Sequence, residues 1–119
     1  MEIEATSADR NLLLEMKGEL DHHGARNALR ELELSIDAAL PKKLVLDLAG
    51  VTFMDSSGIG VLLNRYKQMK AGHTSFYGAC PQVMRVLKVA GILGLMHQYE
   101  SKEEAIYSRE AMVCYLVLS

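Results

Sequence analysis

Hydrophobic residues in this chain change their spacing repeatedly, from a period of two to the period of about 3.6 that is typical of amphipathic helices. Strand-like segments are predicted at 2–8, 11–17, 43–48, 74–80 and 95–100, and a helical segment follows each strand from the second onward. The order ββαβαβαβα indicates an α/β fold: an N-terminal antiparallel hairpin, then parallel strands, with about four helices packed on a mixed sheet.

The ends of the predicted helices are marked by capping and breaking residues. The first helix is expected to run from Ala25 to Pro41, and the second to end at Gly72. Between them, the strand 43–48 is expected to finish in a polar turn. The final helix is predicted to begin at the capping box of Ser101 and Glu104 and to reach about Val117.

Length and composition favour one domain over residues 1–119, with no membrane or nucleic-acid role. The chain has 119 residues, 13 basic against 15 acidic, and a formal charge of −2, which argues against direct binding to DNA. Its N-terminus is polar, and no apolar run reaches the roughly 18 residues that a membrane span requires. Cys80 and Cys114 are far apart in the sequence, so no disulfide framework is expected. We therefore expect the protein in the reducing environment of the cytoplasm.

Two predicted strand-to-helix turns carry most of the polar side chains that are candidates for a functional site. They are residues 20–24 and 55–58. Because right-handed crossovers place successive turns of this kind at one edge of a sheet, we expect both turns at the same carboxyl edge. Sites in α/β proteins usually lie at that edge, so the two turns form the candidate site.

The second turn, Asp55-Ser56-Ser57-Gly58, contains more capping residues than a helix needs. One Asp or Ser is enough to accept N–H bonds from the first turn, and here are three in succession. Gly58 and Gly60 remove side chains from the helix start, which permits close approach of another backbone or a ligand. Taken alone, the residues support simple capping and an anion or partner site about equally.

Catalysis by either serine has little support. Met54 and Asp55 stand two residues before Ser56 and Ser57, where a nucleophile elbow requires glycine. No Gly-Lys-Ser/Thr occurs at the spacing of a phosphate-binding loop. The chain is therefore predicted not to be an enzyme, although a small serine hydrolase stays open as a third reading.

Metal binding is equally weakly indicated. Glu19, Asp21, His22 and His23 are close in sequence, but neighbouring residues rarely ligate one ion, and His73 and His97 stand alone. We predict neither a metal nor another cofactor. The basic run 65–70 is interpreted as a solvated helix face that is also suited to an acidic partner.

The sequence resembles the STAS-domain anti-sigma factor antagonists of bacteria, and most closely the sporulation type. The similarity covers nearly the whole chain in order, and 109–119 is the zone that does not match. It is carried by "GELDHH" at 18–23, "LDL" at 46–48, "FMDSSGIGVLLNRYKQMK" at 53–70, and a Pro-Val-Arg-Leu-Ala-Gly pattern at 81–91.

The resemblance implies the STAS fold and a partner-switching mechanism. The unphosphorylated protein would bind an anti-sigma factor that is also an ATP-dependent serine kinase, and so release a sigma factor. The kinase would then phosphorylate Ser56, and a PP2C-type phosphatase would restore the protein. The resemblance alone ranks Ser56 above Ser57 as the acceptor.

Further roles follow for the neighbouring residues. Asp55 and Ser57 would order the turn, and Asp21 would support the acceptor or contact the kinase. Gly58 and Gly60 would permit close approach, with Ile59 shared between core and interface. A scaffold or nucleotide-sensing STAS module without kinase control is the second reading, and binding of a small ligand in the absence of a kinase would favour it.

Overall fold

The computed structural model of the chain describes residues 1–8, 10–69 and 73–105. Within these ranges, five strands form one sheet in the order β1-β2-β3-β4-β5, with β1 antiparallel to β2 and the remaining neighbours parallel. The predicted mixed sheet is therefore confirmed. The strands are β1 (Glu2–Ala8), β2 (Asn11–Leu20), β3 (Lys43–Met54), β4 (Thr74–Tyr77) and β5 (His97–Tyr99).

Helices connect the parallel strands, and the predicted element order is confirmed. The helices are α1 (His22–Ala39), α2 (Ser56–Gln68), α3 (Pro81–Val89), a short 3-10 helix (Ile92–Gly94) and the beginning of a fourth α-helix at 102–105. The predicted stop at Gly72 and the extension of the last helix to Val117 lie outside the described residues. No helix among the described residues combines the length and apolar composition that a membrane crossing requires.

Both faces of the central strands are buried at Leu12–Leu14 and Leu44–Leu46, which explains the continuous apolar runs of these strands. Alternate residues of β2 point to opposite faces. Leu12, Leu14 and Met16 pack in the main core with α1, α2 and α3. Leu13 packs on the other face in a smaller cluster with Ala105 from the beginning of the fourth helix.

The polar turn predicted after residue 48 is wrong, because β3 continues to Met54. Its second half pairs with β2 across two register shifts, which lie between Glu15 and Lys17 and between Gly18 and Glu19. Such bulges let a strand with an irregular pattern stay paired while it bends. The pairing partner on β2, rather than the local composition of 49–52, decides that this segment is a strand.

The first helix begins at His22, three residues before the predicted start at Ala25. The apolar stripe indicates only where the helix meets the core, and His22 and His23 are exposed and precede that stripe. Asp21 is the N-cap, and its side chain accepts a hydrogen bond from the Gly24 N–H at 2.9 Å. The helix ends at Leu40, whose positive φ of 46° breaks the helix directly before Pro41.

The basic run at 65–70 is not uniformly solvated, because Arg65 is 5% exposed. Its Nη1 donates a hydrogen bond to the Leu29 carbonyl of α1 at 3.1 Å. Gln68 reaches the same helix and donates to Asp37 Oδ1 at 3.1 Å. Burial lowers the pKa of Arg65, and Glu33 and Asp37 oppose that shift. Arg65 and Gln68 therefore join α2 to α1, while Lys67 stays exposed.

Candidate functional site

The turns after β2 and β3 lie side by side at the carboxyl edge of the sheet. Leu20 pairs with Met54, so Asp21 and Asp55 are the residues that directly follow a paired position on neighbouring parallel strands. Each aspartate is the N-cap of the next helix. The common edge expected for the two turns is therefore present in the fold.

Asp55 performs the capping that this helix start requires. Its Oδ1 accepts hydrogen bonds from Ser57 N at 2.8 Å and from Gly58 N at 3.4 Å. The Ile59 N–H donates to the Asp55 carbonyl at 3.1 Å, which closes the first helical turn. Because the aspartate satisfies these groups, neither serine hydroxyl is needed as the cap.

The two serines differ in their access to solvent. Ser56 is the first residue of α2 and is exposed, whereas Ser57 is half-buried. Ile59 is half-buried and packs against the main core, and its part in an interface stays a prediction. An exposed hydroxyl at the first position of a helix lies beside the positive end of the helix dipole, which favours an anionic group there.

Gly58 and Gly60 differ in what surrounds them. A Cβ at Gly58 would lie 2.7 Å from the Leu20 carbonyl oxygen and 2.6 Å from Met54 Cγ, so the absence of a side chain lets α2 approach the end of β2. A Cβ at Gly60 would meet nothing within 4 Å. Gly60 therefore faces open space rather than another described segment of the chain. The close approach predicted at this position would have to be made by another molecule.

Phe53 is a surface residue of this edge that the sequence patterns did not single out. It is 38% exposed, immediately before the buried Met54, and pairs with Glu19 of β2. Residues 49–54 lie beyond the predicted strand 43–48, so no sequence pattern assigned Phe53 to a buried or an exposed face. Phe53 and the half-buried Ile59 each lie three residues from Ser56 along the chain.

The charges at this edge are negative. Asp21, Asp55 and the exposed Glu19 contribute carboxylates to the two neighbouring strand ends. The Gly24 N–H holds the pKa of Asp21 below its usual value, partly opposed by burial and assisted by the charge of His23. The site is thus an acidic edge with an exposed hydroxyl in its middle.

The histidines do not assemble into a metal centre. The His22 and His23 rings stand 6.1 Å apart on the surface. Elsewhere, His73 Nδ1 lies 2.7 Å from the Lys42 carbonyl, and the His97 ring packs edge-on against Tyr99. Among the described residues, no group of three or more His, Cys, Asp or Glu side chains is placed to hold a metal ion.

Comparisons with known proteins agree with this architecture. A model of the STAS domain matches residues 2–105. The anti-sigma F factor antagonist of Paenibacillus polymyxa is 33% identical over 103 residues, covering 85% of this chain and 88% of that protein.

Solved structures share the fold. The anti-sigma factor antagonist SpoIIAA in its unphosphorylated form has a TM-score of 0.78 and 26% identity, covering 92% of this chain and 97% of that one. The Bacillus cell fate determinant SpoIIAA in its phosphorylated form has a TM-score of 0.64 and 23% identity, covering 88% and 96%. The chain therefore belongs to the STAS-domain family of anti-sigma factor antagonists.

Proposed function

We propose that this protein is a partner-switching anti-sigma factor antagonist controlled by phosphorylation of Ser56. The unphosphorylated form binds an anti-sigma factor that is also a serine kinase, and this binding releases a sigma factor. The observation that carries the proposal is the exposed Ser56 hydroxyl at the first position of α2, beside a cap that Asp55 already provides. A phosphate can be added there without removing a capping interaction.

Phosphorylation at Ser56 changes the charge of the edge rather than the fold. A phosphoserine carries about −1.5 to −2 charges near neutral pH. The N-terminus of α2 tolerates that charge, because its N–H groups and dipole favour an anion. Asp21, Asp55 and Glu19 make the same edge acidic already. A partner surface packed against Ser56 would therefore be repelled and displaced.

The surface around Ser56 has the features of a small docking site. Phe53 and Ile59 offer apolar area, and Gly60 leaves the first turns of α2 open to close approach. Ser57 and Asp55 hold the turn through the bond from Ser57 N to Asp55 Oδ1, and Gly58 seats the helix on β2. Asp21 contributes charge from the neighbouring turn, and we assign it a supporting or kinase-contacting role.

The cycle closes when a PP2C-type phosphatase hydrolyses the phosphoserine. In this scheme, the protein is a substrate of both enzymes and performs no catalysis itself. ATP-dependent kinases act inside the cell, so the scheme places the protein in the cytoplasm. Solved structures with this fold include a SpoIIAA in its unphosphorylated form and a SpoIIAA in the phosphorylated form, and this supports the proposal.

The test is intact and fragment mass spectrometry after incubation with the anti-sigma kinase of the same organism and ATP. Wild type and Ser57→Ala are expected to gain one phosphate at residue 56, and Ser56→Ala to gain none. Ser57→Ala is the matched control, because it removes the adjacent hydroxyl of the same turn.

Two results would count against the proposal. Phosphate at Ser57 in wild type and in Ser56→Ala would retain the switch but move its site. No phosphate on any variant, with an active kinase that still binds the protein, would favour the STAS scaffold or ligand-sensing role. The circular dichroism spectra of the two forms should coincide, since the modified group lies on the surface.

A further inference from the structure

The face of the sheet opposite α1, α2 and α3 carries a row of polar side chains across all five strands. Glu4 of β1 pairs with Glu15, Glu15 with Asp47, Asp47 with Tyr77, and Tyr77 with Tyr99. These side chains share one face, because each is directly opposite the next in the register. Three neighbouring carboxylates therefore stand side by side, far from the edge that carries Ser56.

Within the part of the chain that the structure describes, one end of this row is enclosed and the other is not. Tyr77 is 8% exposed and packs near Ala105. The register places Tyr77 opposite Asp47 and Asp47 opposite Glu15, and burial together with these two carboxylates raises the pKa of Tyr77. At the other end, Glu4 is exposed and Glu15 is half-buried. Among the described residues, this face is thus open to solvent around Glu4 and Glu15, whereas Leu13 of β2 is covered.

The open half is concave and strongly acidic. A depression of about 300 Å³ is lined by Glu2, Ile3, Glu4, Glu15 and Lys17. Lys17, the single basic residue among these lining residues, lies directly opposite Glu2, and Glu4 lies directly opposite Glu15. Like charges directly opposite each other on neighbouring strands destabilise a sheet. The pairs Glu4–Glu15 and Glu15–Asp47 therefore lower the stability of the fold, so stability is not the reason for these carboxylates.

The outer edge of β1 adds unpaired backbone groups next to this acidic face. β1 is seven residues long and is the first strand of the sheet order, so within the described residues its outer side pairs with no other strand. A long edge strand is a template for an added strand. An antiparallel second copy centred on Glu4 would bring the two Glu4 carboxylates together, which argues against self-pairing.

We propose that β1 and this acidic face are a docking site for an extended, lysine- or arginine-rich segment of a protein partner. The segment adds as a strand along β1, and its basic side chains reach Glu4, Glu15 and the depression between them. Backbone hydrogen bonds to β1 supply affinity for any extended segment, and charge complementarity selects a basic sequence. This surface is separate from the Ser56 edge, so it permits a second partner or a second contact.

The test uses two synthetic heptapeptides with blocked ends: Lys-Thr-Lys-Val-Lys-Thr-Lys, and Lys-Pro-Lys-Pro-Lys-Pro-Lys as a control of equal charge that cannot extend a sheet. Amide chemical shifts of the full-length protein are followed by NMR at low salt. The first peptide is expected to shift amides of Glu2–Ala8 and of Glu15 and Lys17. Its affinity should fall as salt rises, since screening weakens exposed charge pairs.

Four isosteric variants assign the charge contribution. Glu4→Gln and Glu15→Gln are each expected to weaken binding by about two- to fivefold, in line with exposed ion pairs. Glu31→Gln on α1 and Glu100→Gln after β5 are exposed controls with the same change in net charge, and they should bind as wild type does.

Three results would overturn the proposal. They are the absence of shifts in β1, equal weakening by all four variants, and equal binding of the proline peptide. None of them bears on Ser56, because the experiment contains neither kinase nor ATP. Thermal unfolding of the glutamine variants would separate weaker binding from loss of folded protein.

Discussion

The starts of α1 and α2 are built alike and differ in the chemistry that they present. Asp21 and Asp55 follow paired positions of β2 and β3, and each accepts a hydrogen bond from the N–H of a glycine three residues later. Each glycine also packs against the end of β2. After these common features, α1 continues with two imidazoles and α2 with two hydroxyls.

This difference separates the residues that the strand-to-helix turn requires from those that it does not require. The aspartate and the glycine are required at both helix starts, because the strand-to-helix turn needs a cap and a close approach. The residues between them are not constrained by that geometry. The proposed phosphorylation therefore rests on the hydroxyl at the first position of α2, which the equivalent position of α1 lacks.

The largest effect is expected from adding a methyl group to either glycine. Gly24→Ala and Gly58→Ala should each lower the free energy of unfolding by about 2–3 kcal/mol, because the new Cβ collides with backbone of β2. Urea unfolding measures the change. Gly60→Ala is the matched control and should gain about 0.5–1 kcal/mol, since its site is open and alanine favours a helix. Equal stability of Gly58→Ala and Gly60→Ala would contradict the close packing of Gly58 against the end of β2.

A smaller effect is expected when a cap is removed. Asp55→Ala should cost about 1–2 kcal/mol, and Asp21→Ala about 1 kcal/mol, because Asp55 Oδ1 accepts two N–H bonds and Asp21 Oδ1 accepts one. Thermal unfolding at pH 7 measures both. Asp55→Asn retains an acceptor and should unfold close to wild type. If this variant also loses kinase binding, the charge of Asp55 has a role beyond capping.

The smallest effect is expected in the pH dependence of stability. The folded state lowers the pKa of Asp21, mainly through the Gly24 N–H. A lowered pKa stabilises the fold above the pKa of the unfolded chain, and that contribution is lost as the pH falls through the lower, folded value. Urea unfolding between about pH 6 and pH 3 should therefore show a shallower acid loss for Asp21→Asn than for wild type. Identical slopes would mean that this bond does not persist in solution.

The element order and the character of the site were predictable because they depend on local signals. Hydrophobic period separates strands from helices, and an Asp-Ser-Ser-Gly run after a strand predicts a capped helix start. The residues Asp55, Ser57 and Gly58 occupy the positions that such a start requires. The roles of Ser56 and Asp21 toward partners came from the family resemblance and stay predictions until the phosphorylation is measured.

The errors concern interactions between distant segments. Arg65 was predicted to be solvated because it lies off the apolar stripe of α2, yet it reaches the Leu29 carbonyl on α1. The strand predicted at 43–48 continues to Met54, because its second half pairs with β2. Neither outcome is encoded in the neighbours along the chain.

The sequence by itself determined the alternation of strands and helices and a capped start of α2 within Asp55-Ser56-Ser57, because each depends on residues close together in the chain. The tertiary structure alone decided the length of β3, the burial of Arg65 and the alignment of Glu4, Glu15 and Asp47 in one row. These features depend on strand register and helix packing, which join residues far apart in the chain, and no local period reports such pairings.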